Sequence, residues 1–109
     1  MESLSIYFSE DTEWTEFEAT NKGYRIDVYA KIGGSIFNLR VYTLVRLQQD
    51  FETDWETAGS YLAEPNLVLV RDTNKEEIIS TVNELYRQKF FEHIKPADDI
   101  DILKLVKVQ

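Results

Sequence analysis

Residues 24–43 read YRIDVYAKIGGSIFNLRVYT, and how this stretch is read decides the fold. Over 24–32 polar and apolar side chains alternate, and a strand's period of two turns that alternation into two faces. Tyr24, Ile26, Val28, Ala30 and Ile32 take one face, with Arg25, Asp27, Tyr29 and Lys31 on the other. The segment Gly33-Gly34-Ser35 supplies the backbone freedom of a tight turn. IFNLRVYTL, 36–44, then returns as the partner strand, with Phe37, Leu39 and Val41 facing inward. The result is an antiparallel hairpin with one apolar face, and the flanking segments are what extend or cover it.

Upstream, LSIYF (4–8) suits an opening strand. Downstream, Leu44, Leu47 and Phe51 fall at helical spacing and predict a short helix after the third strand. Residues 52–65 hold acids, Gly59 and Pro65 without either period and read as a loop. NLVLV (66–70) is a continuous apolar run, as in a central strand buried on both faces. Thr73 and Glu76 form a T-x-x-E capping box. Ile78, Ile79, Val82, Leu85, Tyr86 and Phe90 then trace one stripe of a long amphipathic helix, with Glu77, Thr81, Glu84 and Gln88 on its wet side. Pro96 ends that element just beyond His93 and Lys95, and DILKLVKV (101–108) closes the sheet with Lys104 and Lys107 guarding its edge.

The predicted class is α+β, in a single domain over residues 1–109. A mainly antiparallel sheet of about five strands carries one long helix on one face, in the order β-β-β-(short α)-β-α-β. One helix cannot cover both faces of such a sheet. The bare face, or a sheet edge, is left for solvent or a partner.

Twenty acids against twelve bases give a formal charge of −8 and a pI near 4.6. Nucleic acid and anionic membranes are repelled by such a surface, whereas a basic protein is steered towards it. With no cysteine, disulfides, thiolate catalysis and Cys-ligated zinc are excluded. MESLSIYFSE has too short an apolar run for a secretory signal, and no stretch reaches the roughly 18 apolar residues of a spanning helix. A soluble, cytoplasmic chain is expected.

Catalytic patterns are missing. The single histidine, His93, sits in FFEHIKP, where an imidazole complements a helix C-terminus. Neither glycine-rich phosphate motif occurs. Asp50, Glu52, Asp54 and Glu56 alternate as in a calcium loop. However, Trp55 occupies the sixth position, which needs Gly, and Tyr61 the twelfth, which needs a bidentate Glu. No enzyme, metal or cofactor is predicted.

What stands out instead is aromatic residues set among acids. SEDTEWTEFEA (9–19) and QQDFETDWET (48–57) contain no Lys or Arg. Trp14, Phe17, Phe51 and Trp55 are candidate apolar anchors, of which at least half are expected inside the core. Glu10, Asp11, Glu13, Glu16, Glu18, Asp50, Glu52, Asp54 and Glu56 supply the field. Anchors encircled by charge suit a protein interface, with desolvated contact for lifetime and charge for fast encounter. The predicted partner-binding set is Glu10, Asp11, Glu13, Trp14, Glu16, Asp50, Glu52, Asp54, Trp55 and Glu56, converging as one patch.

Across residues 37–94, FNLRVYTLVRL, then NLVLV, then EEIISTVNELYRQKFFEHI resembles the bacterial toxin-immunity family called immunity protein family eight. More loosely, the chain resembles other small acidic immunity proteins of polymorphic-toxin and contact-dependent inhibition systems. Val41, Thr43 and Leu47 match that family's V-x-T element and its following leucine; Leu44 and Arg46 stand where the family commonly has Pro and Trp. The resemblance implies a non-enzymatic cytoplasmic antidote that binds a cognate toxin domain, often a basic nuclease. Two other readings stay open. One is a generic interaction domain, monomer or homodimer, joined through the bare sheet face or an edge strand, with Tyr29 and Tyr42 as interface candidates. The other is a carboxylate-based metal enzyme.

Overall fold

In the computed structural model the chain is described over residues 3–58, 63–97 and 99–109, with residues 53–58 described by their backbone only. The hairpin is present. Strands β2 (Tyr24–Ile32) and β3 (Ser35–Thr43) pair antiparallel about a turn in which Gly33 takes a positive φ of 59°. Strand β1 (Leu4–Phe8) pairs antiparallel with β2, from Leu4 opposite Ile32 to Phe8 opposite Val28. Strands β4 (Leu67–Val70) and β5 (Val106–Lys107) close the two edges, giving the order β4-β3-β2-β1-β5. The class is α+β, and the sheet is mixed, because β4 runs parallel to β3.

Helices α1 (Glu13–Lys22), α2 (Leu44–Ala58) and α3 (Lys75–Arg87) complete the fold. The order is thus β-α-β-β-α-β-α-β, and the helix after the third strand, expected to be short, is the longest of the three. Parallel pairing explains this. To enter β4 in the direction of β3 the chain must travel back along the sheet, which a crossover helix accomplishes and a loop of a few residues cannot. Residues 52–58, read as loop, therefore continue α2; Gly59 and Tyr61 lie outside the described residues.

Ile6, Phe8, Val28, Ala30, Phe37, Leu39 and Val41 form the buried face of the sheet, and Ile78 and Val82 of α3 lie against it, all at or below 6% exposure. Each of these side chains except Ala30 contributes about 1.5–3 kcal/mol relative to exposure. Several predicted details differ. A bulge between Arg25 and Val28 sets Ile26 and Asp27 opposite Arg40 alone, so the alternation of β2 inverts there. Ile26 turns outward and Arg25 is buried. NLVLV is an edge strand with Leu69 half exposed, not a central one. The cap of α3 is Asn74, whose side chain accepts from Glu77 N at 2.8 Å, because the Thr73 hydroxyl is drawn away to donate to the Ala19 carbonyl at 2.7 Å. α3 ends at Arg87; His93 closes a separate 3-10 turn, Phe90–His93, and is exposed. The closing strand has two residues, preceded by a 3-10 turn holding Lys104, while Lys107 does lie on the sheet edge.

Gly23 joins α1 to β2 and has a specific reason to be glycine. Its φ is +75°, its N–H donates to the Ala19 carbonyl at 3.0 Å, and its own carbonyl accepts from Thr43 N at 2.8 Å. A Cβ there would stand 2.7 Å from Thr43 Oγ1 and 3.1 Å from Arg46 Cβ. Gly23→Ala is expected to destabilise the protein by at least about 2 kcal/mol through combined backbone strain and overlap. In urea unfolding the midpoint should fall at unchanged slope.

Candidate functional site: the outer face of α1

The first acidic segment folds because its ends are capped and its acids suit a helix start. Thr12 accepts from Thr15 N at 3.1 Å, while the Thr15 hydroxyl accepts from Thr12 N at 2.9 Å, so the box is closed by two threonines. Glu13 and Glu16 lie in the first turn, where the exposed amides favour negative charge. Ala19 is the one α1 residue fully buried among those described. The helix is therefore held less by an apolar stripe than by polar bonds to distant parts of the chain. Glu16 Oε1 accepts from Lys75 N at 2.8 Å, at the start of α3, and Asp11 pairs with Lys75 Nζ at 2.8 Å.

With those contacts on the inner side, Trp14 and Phe17 point outward. They are 64% and 58% exposed and stack on each other, ring centroids 5.8 Å apart and planes inclined by 24°. This corrects the expectation that at least half of the four aromatics are core: Trp14, Phe17 and Phe51 are all exposed, Phe51 at 39%, and the Trp55 side chain lies outside the described residues. Beside Phe17 an open depression of about 470 Å³ extends to Thr12, Glu13 and Lys75. Phe17, absent from the predicted binding set, thus belongs to this surface as much as Trp14.

The acids divide into two groups. Asp11 and Glu16 are committed to Lys75, Glu18 pairs with Lys22 at 2.7 Å, and Asp50 lies 3.0 Å from Arg46 Nε. Glu52 accepts from the Gln48 amide at 3.3 Å. Glu10 and Glu13 are exposed and make no ion pair with any described residue. The side chains of Asp54 and Glu56 lie outside the described residues. The first acidic segment runs into α1 and the second lies within α2, and the two helices are linked where Gly23, just after α1, accepts from Thr43, just before α2. Glu10 and Glu13 sit at the far end of α1, on the order of 15 Å from that junction at a helix's rise per residue.

Beneath the site lies a group that local sequence patterns did not single out. Arg25 is 5% exposed; its guanidinium sits 3.8 Å from the Phe8 ring centroid, its Nε bonds Asp27 at 2.8 Å, and its Nη2 donates to the Glu10 carbonyl at 2.6 Å. Ser9 N donates to Asp27 Oδ2 at 3.0 Å, fixing the turn into α1. Burial pushes the Asp27 carboxyl up, but its bonds from Ser9 and the Arg25 charge outweigh that, and the net result is below the ordinary value. On the other sheet face Tyr42 is buried, stacked on Tyr24 at 5.8 Å and bonded to Glu64 at 3.1 Å, so it is no interface residue; Tyr29 stays partly exposed. Burial, then the Glu64 contact, push the Tyr42 hydroxyl up to about 12.

Among the described residues no group of three or more His, Asp or Glu is arranged to hold a metal ion, and no helix is long and apolar enough to cross a membrane. Comparisons of the chain with protein-family models, curated proteins and solved structures find no match.

Removing Arg25 leaves a partly buried carboxylate without its charge partner. Arg25→Met is expected to cost about 3 kcal/mol or more. Because the folded pKa of Asp27 is depressed, its contribution is present above the unfolded value near 3.8 and is lost as pH falls below it. Asp27→Asn should therefore lower stability at neutral pH and flatten the acid limb of the stability–pH curve, read by urea unfolding between pH 2 and 7 (about that range).

Proposed function

We propose that this chain is a non-enzymatic binding protein of the immunity type, which holds a basic toxin domain against the outer face of α1. The observation that carries the reading is the Trp14–Phe17 stack: two large rings, each more than half exposed, on a helix fastened at both ends. Rings of this size are the usual anchors of tight interfaces, since they bury much area at little cost in rotamer freedom. Glu10 and Glu13, which make no ion pair with any described residue, lie at the start of the helix that carries the stack and supply local negative charge. The net charge of −8 extends that potential at long range and speeds encounter with a cationic partner. Asp50, Glu52, Asp54 and Glu56 on α2 strengthen the field, with Asp50 partly offset by Arg46. A nuclease toxin fits this chemistry, because its substrate groove is cationic and an acidic inhibitor competes for it.

Where a neighbouring gene encodes a basic toxin domain, that domain is the probe. Trp14→Ala and Phe17→Ala are each expected to weaken its binding at least about thirtyfold, as loss of a hot-spot ring does. Stability should change by no more than about 0.5 kcal/mol, because the rings are exposed. The double variant Glu10→Gln, Glu13→Gln should slow association and reduce its salt dependence while leaving dissociation nearly unchanged. Unaltered toxin affinity in both ring variants would remove this reading.

A further inference from the structure

At the opposite end of α3 from the α1 site lies a second feature, a cavity of about 500 Å³ open on one side. Its floor is apolar and largely aromatic. Phe37 and Phe91, each 6% exposed, meet with ring centroids 5.1 Å apart, and Ile32 and Tyr86 complete the lining. Its rim carries both signs of charge, Arg87 and Lys89 with Glu92. Arg87 is already engaged by Glu84 through its Nε at 3.0 Å. Lys89 and Glu92 make no ion pair with each other or with any described residue.

We propose that this cavity binds a free α-amino acid with a large apolar side chain, aromatic in preference to aliphatic. The volume lies in the range of small-ligand sites, and an apolar floor with few polar groups at the mouth is their usual construction. A ligand with one charge would satisfy one rim group and confront the other. A zwitterion satisfies both, with its carboxylate toward Lys89 and its ammonium toward Glu92. Lys89 is fixed at the lip by its backbone, which takes a φ of +63° between α3 and the 3-10 turn. Only a residue held there by its surroundings keeps that conformation. This site is independent of the α1 surface.

The experiment is titration of the full chain with L-tryptophan, indole-3-propionate, which lacks the ammonium, and tryptamine, which lacks the carboxylate. Amide proton–nitrogen shifts are the readout. Tryptophan is expected to shift the amides of Ser35, Phe37 and Phe91 saturably, and the two analogues to bind at least about tenfold more weakly. Lys89→Asn keeps a residue type that adopts positive φ and should abolish the advantage of tryptophan over tryptamine. Glu92→Gln should abolish its advantage over indole-3-propionate. Absence of saturable shifts, shifts confined to other surfaces, equal affinity for all three compounds, or variants that leave the ratios unchanged would each overturn the proposal. Trp14→Ala should leave tryptophan binding intact, so failure here and failure of the α1 interface are told apart.

Discussion

The guanidinium of Arg25 ties together three parts of the molecule that would otherwise be independent. It lies on Phe8 of β1, bonds Asp27 across the β2 bulge, and holds the Glu10 carbonyl at the entry to α1. A charge at 5% exposure is stable only when its donors are met, and here a carboxylate, a carbonyl and an aromatic face meet them. The bulge is what makes this possible. By placing two β2 residues against one of β3, it turns Arg25 to the inner face and Ile26 to the outer one. α1 therefore starts from a fixed point, and the orientation of Trp14 and Phe17 follows from it.

Much of the chain's acidity has a structural use. Asp11 and Glu16 secure α1 to the start of α3, Asp27 neutralises Arg25, and Glu64 accepts the Tyr42 hydroxyl. Counting charge along the sequence thus overstates the local field wherever a lysine or arginine folds back from far away. The correction is largest at Asp11, whose partner is 64 positions distant. Glu10 and Glu13, which make no ion pair with any described residue, need no such correction, and Glu13 adjoins Trp14.

The hairpin and its core were legible because both rest on local information. Alternation, the Gly33-Gly34 turn and the stripe containing Ile78 and Val82 each repeat within a few residues, and a buried face selects for that repetition. The parts that escaped depend on partners far along the chain. α1 buries only Ala19 and shows its large apolar residues to solvent, so it carries no inward stripe to detect. The length of α2 follows from β4 being parallel to β3, a relation that no window of sequence contains. Thr73 looks like a cap and fits one, yet Ala19, 54 positions away, takes its hydroxyl and leaves Asn74 to do the capping. At the site, the residue types were visible; which carboxylates stay unpaired was not.

α1 also shows how an exposed aromatic residue can be free to change. In most amphipathic helices the large apolar side chains are the reason the helix stays docked, so replacing them loosens the fold. Here the docking contacts are the Thr12–Thr15 box, Glu16 to Lys75 N, Asp11 to Lys75 and the Ala19 carbonyl shared by Thr73 and Gly23. None involves Trp14 or Phe17. The energy that positions the helix and the surface it presents are carried by different atoms, and substitutions in the two rings leave the scaffold unstrained. Under the proposed binding role, such separation would let recognition be rewritten at positions 14 and 17 while Arg25, Asp27 and Gly23 keep the helix where it is.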